Sequence, residues 1–192
     1  MIRLEQVSKI YRTAEVETLA LDQVSMEIAD GEFVAIMGPS GCGKSTLLNV
    51  LGLLDAPSSG VYDFFGQDVV GCPEKTLTGL RRDRIGFVFQ SFNLIDDLTV
   101  AENVEVALIY RGVSGAERKR RVAEALDRVG VSHRARHRPQ QLSGGQQQRV
   151  AVARALVSAP SLILADSRPP TPDSMNGRSG AALPWPRPTS GG

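Results

Sequence analysis

The run Gly38–Ser45, GPSGCGKS, constrains the fold of this chain more than any other stretch of its sequence. It follows the short apolar run FVAIMG at 33–38, which predicts a buried strand, and it leads into LLNVLGLL, which has helical length and composition. In the order strand, glycine-rich loop and helix, backbone N–H groups turn toward one centre, and the helix points its positive end at the same place. Such a loop is suited to binding phosphate.

The residue types of the loop suit a nucleoside triphosphate bound with Mg²⁺. Lys44 would reach the β- and γ-phosphates, and the Ser45 hydroxyl would ligate the metal. Cys42 supplies no chemical group that the loop requires, and it is interpreted as a small, tolerated side chain. We therefore expect ATP and Mg²⁺ as cofactors, bound by the loop and the residue after it: Gly38, Pro39, Ser40, Gly41, Cys42, Gly43, Lys44, Ser45 and Thr46.

Two later segments carry apolar residues at helical spacing. In 115–130 and in 144–160 these residues fall on one face of a helix, and Ser143 is placed to cap the second helix. Short apolar runs at 84–90 and 161–166 have the character of buried strands. The alternation of strands with helices predicts an α/β fold with a mainly parallel central sheet.

Asp166 ends the last of these apolar runs, SLILAD. Enzymes that bind nucleotides through a phosphate loop hold Mg²⁺ with a carboxylate from a later strand. Because Asp166 follows the loop at a suitable separation, we expect it to contact the metal through a water molecule.

The motif LSGGQQQR at 142–149 precedes the apolar run at 161–166. Gln90 ends the earlier apolar run at 84–90. In this order, the phosphate loop, the glutamine and the LSGGQ motif resemble the nucleotide-binding domain of an ABC transporter, over residues 1–166. The resemblance implies a P-loop NTPase of the ABC type. It would have an N-terminal β-rich subdomain, a mainly parallel central sheet and a helical subdomain at about 91–142.

The resemblance also implies a second anion site. Ser143 and the free N–H groups of Gly144 and Gly145, followed by Gln146, lie at a helix N-terminus. In the family this site binds the γ-phosphate of an ATP that the other subunit holds, so that two chains enclose two nucleotides head to tail. A second nucleotide-binding domain is therefore an expected partner.

Two single residues take their expected roles from the same resemblance. Gln90 matches the glutamine that touches Mg²⁺ or the attacking water and relays the nucleotide state to a membrane partner. Tyr11 matches an aromatic residue that stacks on adenine. The expected catalytic residues are Lys44, Gln90 and Asp166, and the expected metal site comprises Ser45, Gln90 and Asp166.

The stretches 17–60 and 86–112 resemble the ATPases of lipoprotein-release and macrolide-export systems. This similarity implies an integral membrane permease as partner and a peripheral position on the cytoplasmic face of the inner membrane. The permease, rather than this chain, would recognise the cargo.

The composition points away from secreted and nucleic-acid-binding proteins. The net charge is only +1, the two cysteines make no disulfide framework, and the N-terminus has no apolar signal core. We expect no nucleic-acid partner. A DNA-maintenance ATPase would share the motifs but carries long coiled coils, whereas only 52 residues separate Gln90 from Ser143.

Ser167 stands where the family has a glutamate that activates the attacking water. Serine is not a base near pH 7, and loss of general-base assistance costs roughly 10²–10⁴-fold in rate. The histidine that contacts the γ-phosphate in the family is also missing, since no histidine follows His137. ATPase activity is therefore uncertain, and a degenerate or regulatory subunit that binds ATP without hydrolysing it is the alternative.

The residues at 167–192 form a Pro/Gly-rich tail that departs from the family pattern and that we expect to be disordered. Dropping one base from codons for the family's Glu-Pro-Thr-Gly-Asn gives Ser-Arg-Pro-Ala-Thr, which matches four of the five residues at 167–171. We therefore favour a local frameshift or truncation, which would leave an exposed sheet edge and an incomplete core. A genuine degenerate subunit or a gene fragment is the alternative.

Overall fold

The computed structural model describes residues 1–166, and the predicted tail at 167–192 therefore lies outside the described residues. Strands and helices alternate along the described part, with two short 3₁₀ turns before the last helix. In chain order the elements are β1 (Ile2–Arg12), β2 (Glu17–Ile28), α1 (Lys44–Leu51), β3 (Ser59–Phe64), β4 (Gln67–Asp68), α2 (Glu74–Arg84), β5 (Ile85–Val88), α3 (Val100–Ile109), α4 (Gly115–Arg128), α5 (Gly144–Leu156) and β6 (Leu162–Ala165).

The N-terminal strands form an antiparallel sheet in the order β2-β1-β3-β4. Strand β1 is paired on both sides, with Ile2 opposite Ile28 of β2 and opposite Phe64 of β3. Ile2, Leu4 and Val7 of β1 are buried. Ile2 and Leu4 follow the two-residue period of a strand with one face on the core, and an irregularity in the pairing between Leu4 and Val7 shifts Val7 by one residue. This face packs against α1, and the Tyr62 hydroxyl donates a hydrogen bond of 2.8 Å to the Leu51 carbonyl oxygen.

Strands β5 and β6 form a parallel pair with Ile85 opposite Leu162. Helices α3, α4 and α5 lie between these strands in the sequence, as a parallel connection requires. Helix α5 lies very close to β5 at Gly86, where an added Cβ would be 2.7 Å from the carbonyl oxygen of Ala155. Glycine is therefore the residue that this packing permits.

Helices α3, α4 and α5 bury a second apolar cluster, separate from the core under the antiparallel sheet. Both predicted later helices are present, as α4 and α5. Thr99 begins α3 with a capping box, in which its hydroxyl accepts from the Glu102 N–H and the Glu102 carboxylate accepts from the Thr99 N–H. That the segment 91–142 is a subdomain of its own stays a prediction.

The predicted strand at 33–38 is wrong for the structure, since these residues form no regular element. Phe33 is 90% exposed and Met37 is 89% exposed. A strand requires the backbone groups of a neighbour, and no strand of residues 1–166 pairs with this segment. In the described part of the chain, the parallel component of the sheet therefore consists of β5 and β6.

This difference predicts unequal effects of two apolar substitutions. Leu51→Ala, at a side chain that is 1% exposed, should lower the free energy of unfolding by about 2–5 kcal/mol because it leaves a cavity. Met37→Ala should change it by less than about 0.5 kcal/mol because its side chain is already in water. Urea unfolding of both variants checks the prediction, and comparable losses would show that 33–38 is buried in solution.

Candidate functional site

The glycine-rich loop encloses the ammonium group of Lys44. Its Nζ donates hydrogen bonds of 2.9 Å to the Gly38 carbonyl and 2.6 Å to the Pro39 carbonyl. Gly43, directly before α1, has φ +89°, and an added Cβ would overlap the Ala20 carbonyl oxygen of β2. The loop thus depends on glycine both for its backbone conformation and for its approach to the sheet.

Ser45 and Asp166 line the same small cavity, of about 50 Å³, although 121 positions separate them in the sequence. Ser45 is in the first turn of α1, and Asp166 directly follows β6. The Asp166 N–H donates a 3.0 Å hydrogen bond to the Val88 carbonyl, which extends the β5–β6 pairing by one residue. A hydroxyl and a carboxylate are oxygen ligands of the kind that Mg²⁺ prefers.

Gln90 is exposed and lies in a turn two residues after the end of β5. The residues just before it, Phe87 and Phe89, stack with ring centroids 5.5 Å apart. Both rings line the cavity of Ser45 and Asp166, and both also line a cleft of about 550 Å³ beside α3 and α5. The segment that leads into Gln90 is therefore a wall shared by two cavities.

Arg154 of α5 holds the turn that follows Gln90. Its guanidinium donates to the carbonyl oxygens of Phe92, at 2.7 Å, and Asn93, at 2.6 Å. Phe92 has a backbone φ of +60° and Asn93 one of +45°, values that residues other than glycine rarely adopt. Burial lowers the pKa of the Arg154 guanidinium. A partly buried pair of hydrogen bonds thus maintains a strained backbone.

Tyr11 lies at the end of β1, and the residue is 40% exposed. Its hydroxyl donates a 2.8 Å hydrogen bond to the carboxylate of Asp55, in the segment after α1. This hydrogen bond raises the pKa of the Tyr11 phenol, whereas the nearby Thr46 hydroxyl lowers it to a smaller extent. Tyr11 is therefore beside the helix that follows the phosphate loop.

Ser143 caps α5 as the sequence predicts, with a capping box. Its N–H donates to the Gln146 side-chain oxygen at 3.0 Å, and its hydroxyl accepts from the Gln146 N–H at 3.4 Å. The N–H groups of Gly144 and Gly145 lie in the first turn, where a helix offers no internal acceptor. Because α5 meets β5 at Ala155, Ser143 lies about 18 Å further along the helix axis.

Comparison with known proteins agrees with this arrangement. The family model described as ABC transporter matches residues 21–169. The chain belongs to the ABC transporter family. It is 53% identical over 166 residues to an uncharacterized ABC transporter ATP-binding protein of Thermotoga maritima, covering 86% of this chain and 71% of the relative.

Two further similarities define the kind of ABC protein. The chain is 49% identical over 177 residues to the macrolide export ATP-binding/permease protein MacB of Azoarcus sp., covering 92% of this chain and 27% of that relative. The chain is also similar to the ATP-binding cassette MJ0796, whose dimeric structure in a post-hydrolysis state is bound to ADP and Pi. The two sequences are 49% identical, and the structures superpose with a TM-score of 0.79. That match covers 86% of this chain and 73% of the other.

These similarities confirm the predicted family and fold class, an α/β P-loop NTPase of the ABC type of macrolide-export or lipoprotein-release kind. The chain spans about a quarter of the length of the MacB relatives and about seven-tenths of the Thermotoga relative. The roles assigned to individual site residues stay predictions.

Three polar residues near the candidate site of this ABC domain carry no recognisable signal in the sequence. Asp55 and Lys9 contact Tyr11, and Arg154 contacts the turn after Gln90. The sequence offers little signal for them, since a lysine near the end of a strand or an arginine on a helix is usually a solvated charge. The contacts that Asp55 makes with Tyr11 and Lys9, and those of Arg154 with the turn, join residues that are 44 to 62 positions apart.

Arg154→Lys tests whether the arginine maintains the turn. Lysine keeps the charge but lacks the planar pair of donors, so one of the two carbonyl contacts should be lost. Backbone amides of residues 92–95 should then exchange hydrogen about tenfold faster, the ratio that corresponds to one net hydrogen bond. Hydrogen-exchange mass spectrometry measures this, with the exposed Arg128→Lys as control. Unchanged exchange in both variants would contradict the role.

Proposed function

We propose that this chain binds ATP with Mg²⁺ as the ATP-binding subunit of an ABC transporter of the macrolide-export or lipoprotein-release type. The observation that carries the proposal is the convergence of Ser45 and Asp166 on one cavity, next to a loop that encloses Lys44. Family membership makes ATP the expected nucleotide. The oxygen ligands facing this cavity make Mg²⁺ the expected metal.

Each part of the site has a role that its chemistry explains. Lys44 would exchange its two carbonyl acceptors for phosphate oxygens, and the loop N–H groups would donate to the same phosphates. Ser45 and Asp166 would hold Mg²⁺, which when bound neutralises charge on the β- and γ-phosphates. Gln90 directly follows Phe89, which lines the same cavity, so its position would change with the nucleotide and metal bound there.

A second nucleotide-binding domain would complete the site. The N-terminus of α5, with Ser143, Gly144 and Gly145, is an anion site about 18 Å along the helix from the contact between α5 and β5. A γ-phosphate held by a partner chain can occupy it in a head-to-tail pair. The MJ0796 cassette is dimeric, which supports this assembly.

The membrane partner would contact the side of the Gln90 segment opposite the nucleotide cavity. The 550 Å³ cleft there is lined by Phe87, Phe89 and Asn93, and by Tyr110, whose side chain is 72% exposed. The described residues include no helix long and apolar enough to cross a membrane. Family membership and the MacB relative lead us to infer a peripheral subunit bound to an integral membrane permease on the cytoplasmic face of the inner membrane. MacB carries ATP-binding and permease parts in one protein.

Ser167 favours a second candidate function, a subunit that binds ATP without hydrolysing it at a useful rate. It directly follows Asp166, where the family has the base that activates water. Binding relies on the loop and the metal ligands, so it would persist while turnover fell.

Lys44→Ala tests nucleotide binding. Removing the ammonium group should weaken Mg-ATP binding at least tenfold because a charge-assisted contact to phosphate is lost. Isothermal titration calorimetry measures the affinity. The control, Lys119→Ala on an exposed face of α4, removes the same charge elsewhere. Equal affinities in the two variants, or no ATP binding by the unaltered chain, would refute the proposal.

Ser167→Glu separates the two candidate functions. If the missing carboxylate limits turnover, the variant should hydrolyse ATP about a hundredfold faster than the unaltered chain, with similar ATP affinity. Ser167→Gln adds the same bulk without a base and should leave the rate low. A fast unaltered chain would reject the non-hydrolysing subunit, and equal rates for Glu and Gln would show that the carboxylate alone is insufficient.

A further inference from the structure

The carboxylate of Asp55 contacts both Tyr11 and Lys9. Oδ2 of Asp55 accepts a 2.8 Å hydrogen bond from the Tyr11 hydroxyl. Oδ1 forms an ion pair with Lys9 Nζ at 2.5 Å. Lys9 Nζ also donates to the Ala56 carbonyl at 2.8 Å. The Lys9 side chain is 13% exposed and that of Asp55 is 28% exposed, so this pair is shielded more than an ordinary surface ion pair.

The same lysine lies over one face of the tyrosine ring. Its ammonium nitrogen is 5.0 Å from the ring centroid, within the range of a cation–π contact. Tyr11 as a whole residue is nevertheless 40% exposed. Its hydroxyl is anchored and one face is covered, so the orientation of the ring is fixed and the remaining face is the one on which a flat ligand can stack.

The end of β1 is also hydrogen-bonded to the segment that follows α1. The Ile10 N–H donates a 3.0 Å hydrogen bond to the Ser58 hydroxyl, and the Ser58 N–H donates a 2.8 Å hydrogen bond to the Ser8 carbonyl. Burial by itself would raise the pKa of the Asp55 carboxyl, but the bonds from Lys9 and Tyr11 outweigh it and hold that pKa below its ordinary value. Asp55 is therefore ionised at neutral pH and retains both contacts.

We propose that Asp55 and Lys9 are positioning residues that hold the Tyr11 ring as a one-sided stacking platform for the adenine base of ATP. The proposal rests on the proposed function, because it assumes that the triphosphate is bound by the adjacent loop. Asp55 follows α1, whose N-terminus carries that loop. One short helix thus connects the residues for the phosphates to the residue that orients the base platform.

The test compares two ligands that share the phosphates but differ in the base: Mg-ATP and inorganic triphosphate with Mg²⁺, measured by calorimetry. Tyr11→Ala should weaken ATP binding about 5- to 150-fold, the range that corresponds to loss of base–aromatic stacking. Asp55→Ala and Tyr11→Phe, which keep the ring, should each weaken it about three- to tenfold. The affinity for triphosphate should be unchanged in all three variants.

A double variant distinguishes positioning from a general structural role. Tyr11→Phe combined with Asp55→Ala should lose no more ATP affinity than Asp55→Ala alone, since the alanine already removes the acceptor of the Tyr11 hydroxyl together with the anchor of Lys9. Full additivity, or equal losses for ATP and triphosphate, would overturn the proposal while leaving the proposed function intact. If neither ligand binds the unaltered chain, the proposed function and this inference both fail.

Discussion

The parallel pairing of β5 with β6 determines where the acidic side of the site lies. Both strands end at the same edge, and the hydrogen bond from the Asp166 N–H to the Val88 carbonyl carries that pairing one residue further. The Asp166 carboxylate thereby comes to the cavity that Ser45 lines. The close contact of α5 with Gly86 sets the distance between this helix and β5, since any larger residue at position 86 would push the helix away. The proposed metal site, the Gln90 segment and the cleft proposed for the membrane partner all depend on this edge.

We propose that each chain offers two half-sites that act on different nucleotides. In this proposal the phosphate loop and Asp166 form one, and the N-terminus of α5 forms the other, some 18 Å along the helix from β5. Arg154, near the other end of α5, holds the strained turn after Gln90. A helix that would bind a partner's phosphate at one end, and that holds the turn after Gln90 at the other, has the geometry to connect the two proposed half-sites.

Local patterns in the sequence were sufficient for the helices α4 and α5, the cap at Ser143 and the strands β5 and β6. The failure at 33–38 has a physical cause: the apolar run is typical of a strand, but pairing is supplied by other strands, and none of residues 1–166 supplies it. The contacts of Tyr11 with Asp55 and of Arg154 with Phe92 were equally inaccessible, because each joins distant segments through a single polar group.

The most direct test of the account is a crystal structure of the chain with Mg²⁺ and ATP. The account predicts the triphosphate within the loop 38–45, the metal between the Ser45 hydroxyl and the Asp166 carboxylate, and the adenine on the exposed face of Tyr11. A nucleotide bound elsewhere, or a metal that Asp166 contacts neither directly nor through water, would contradict it.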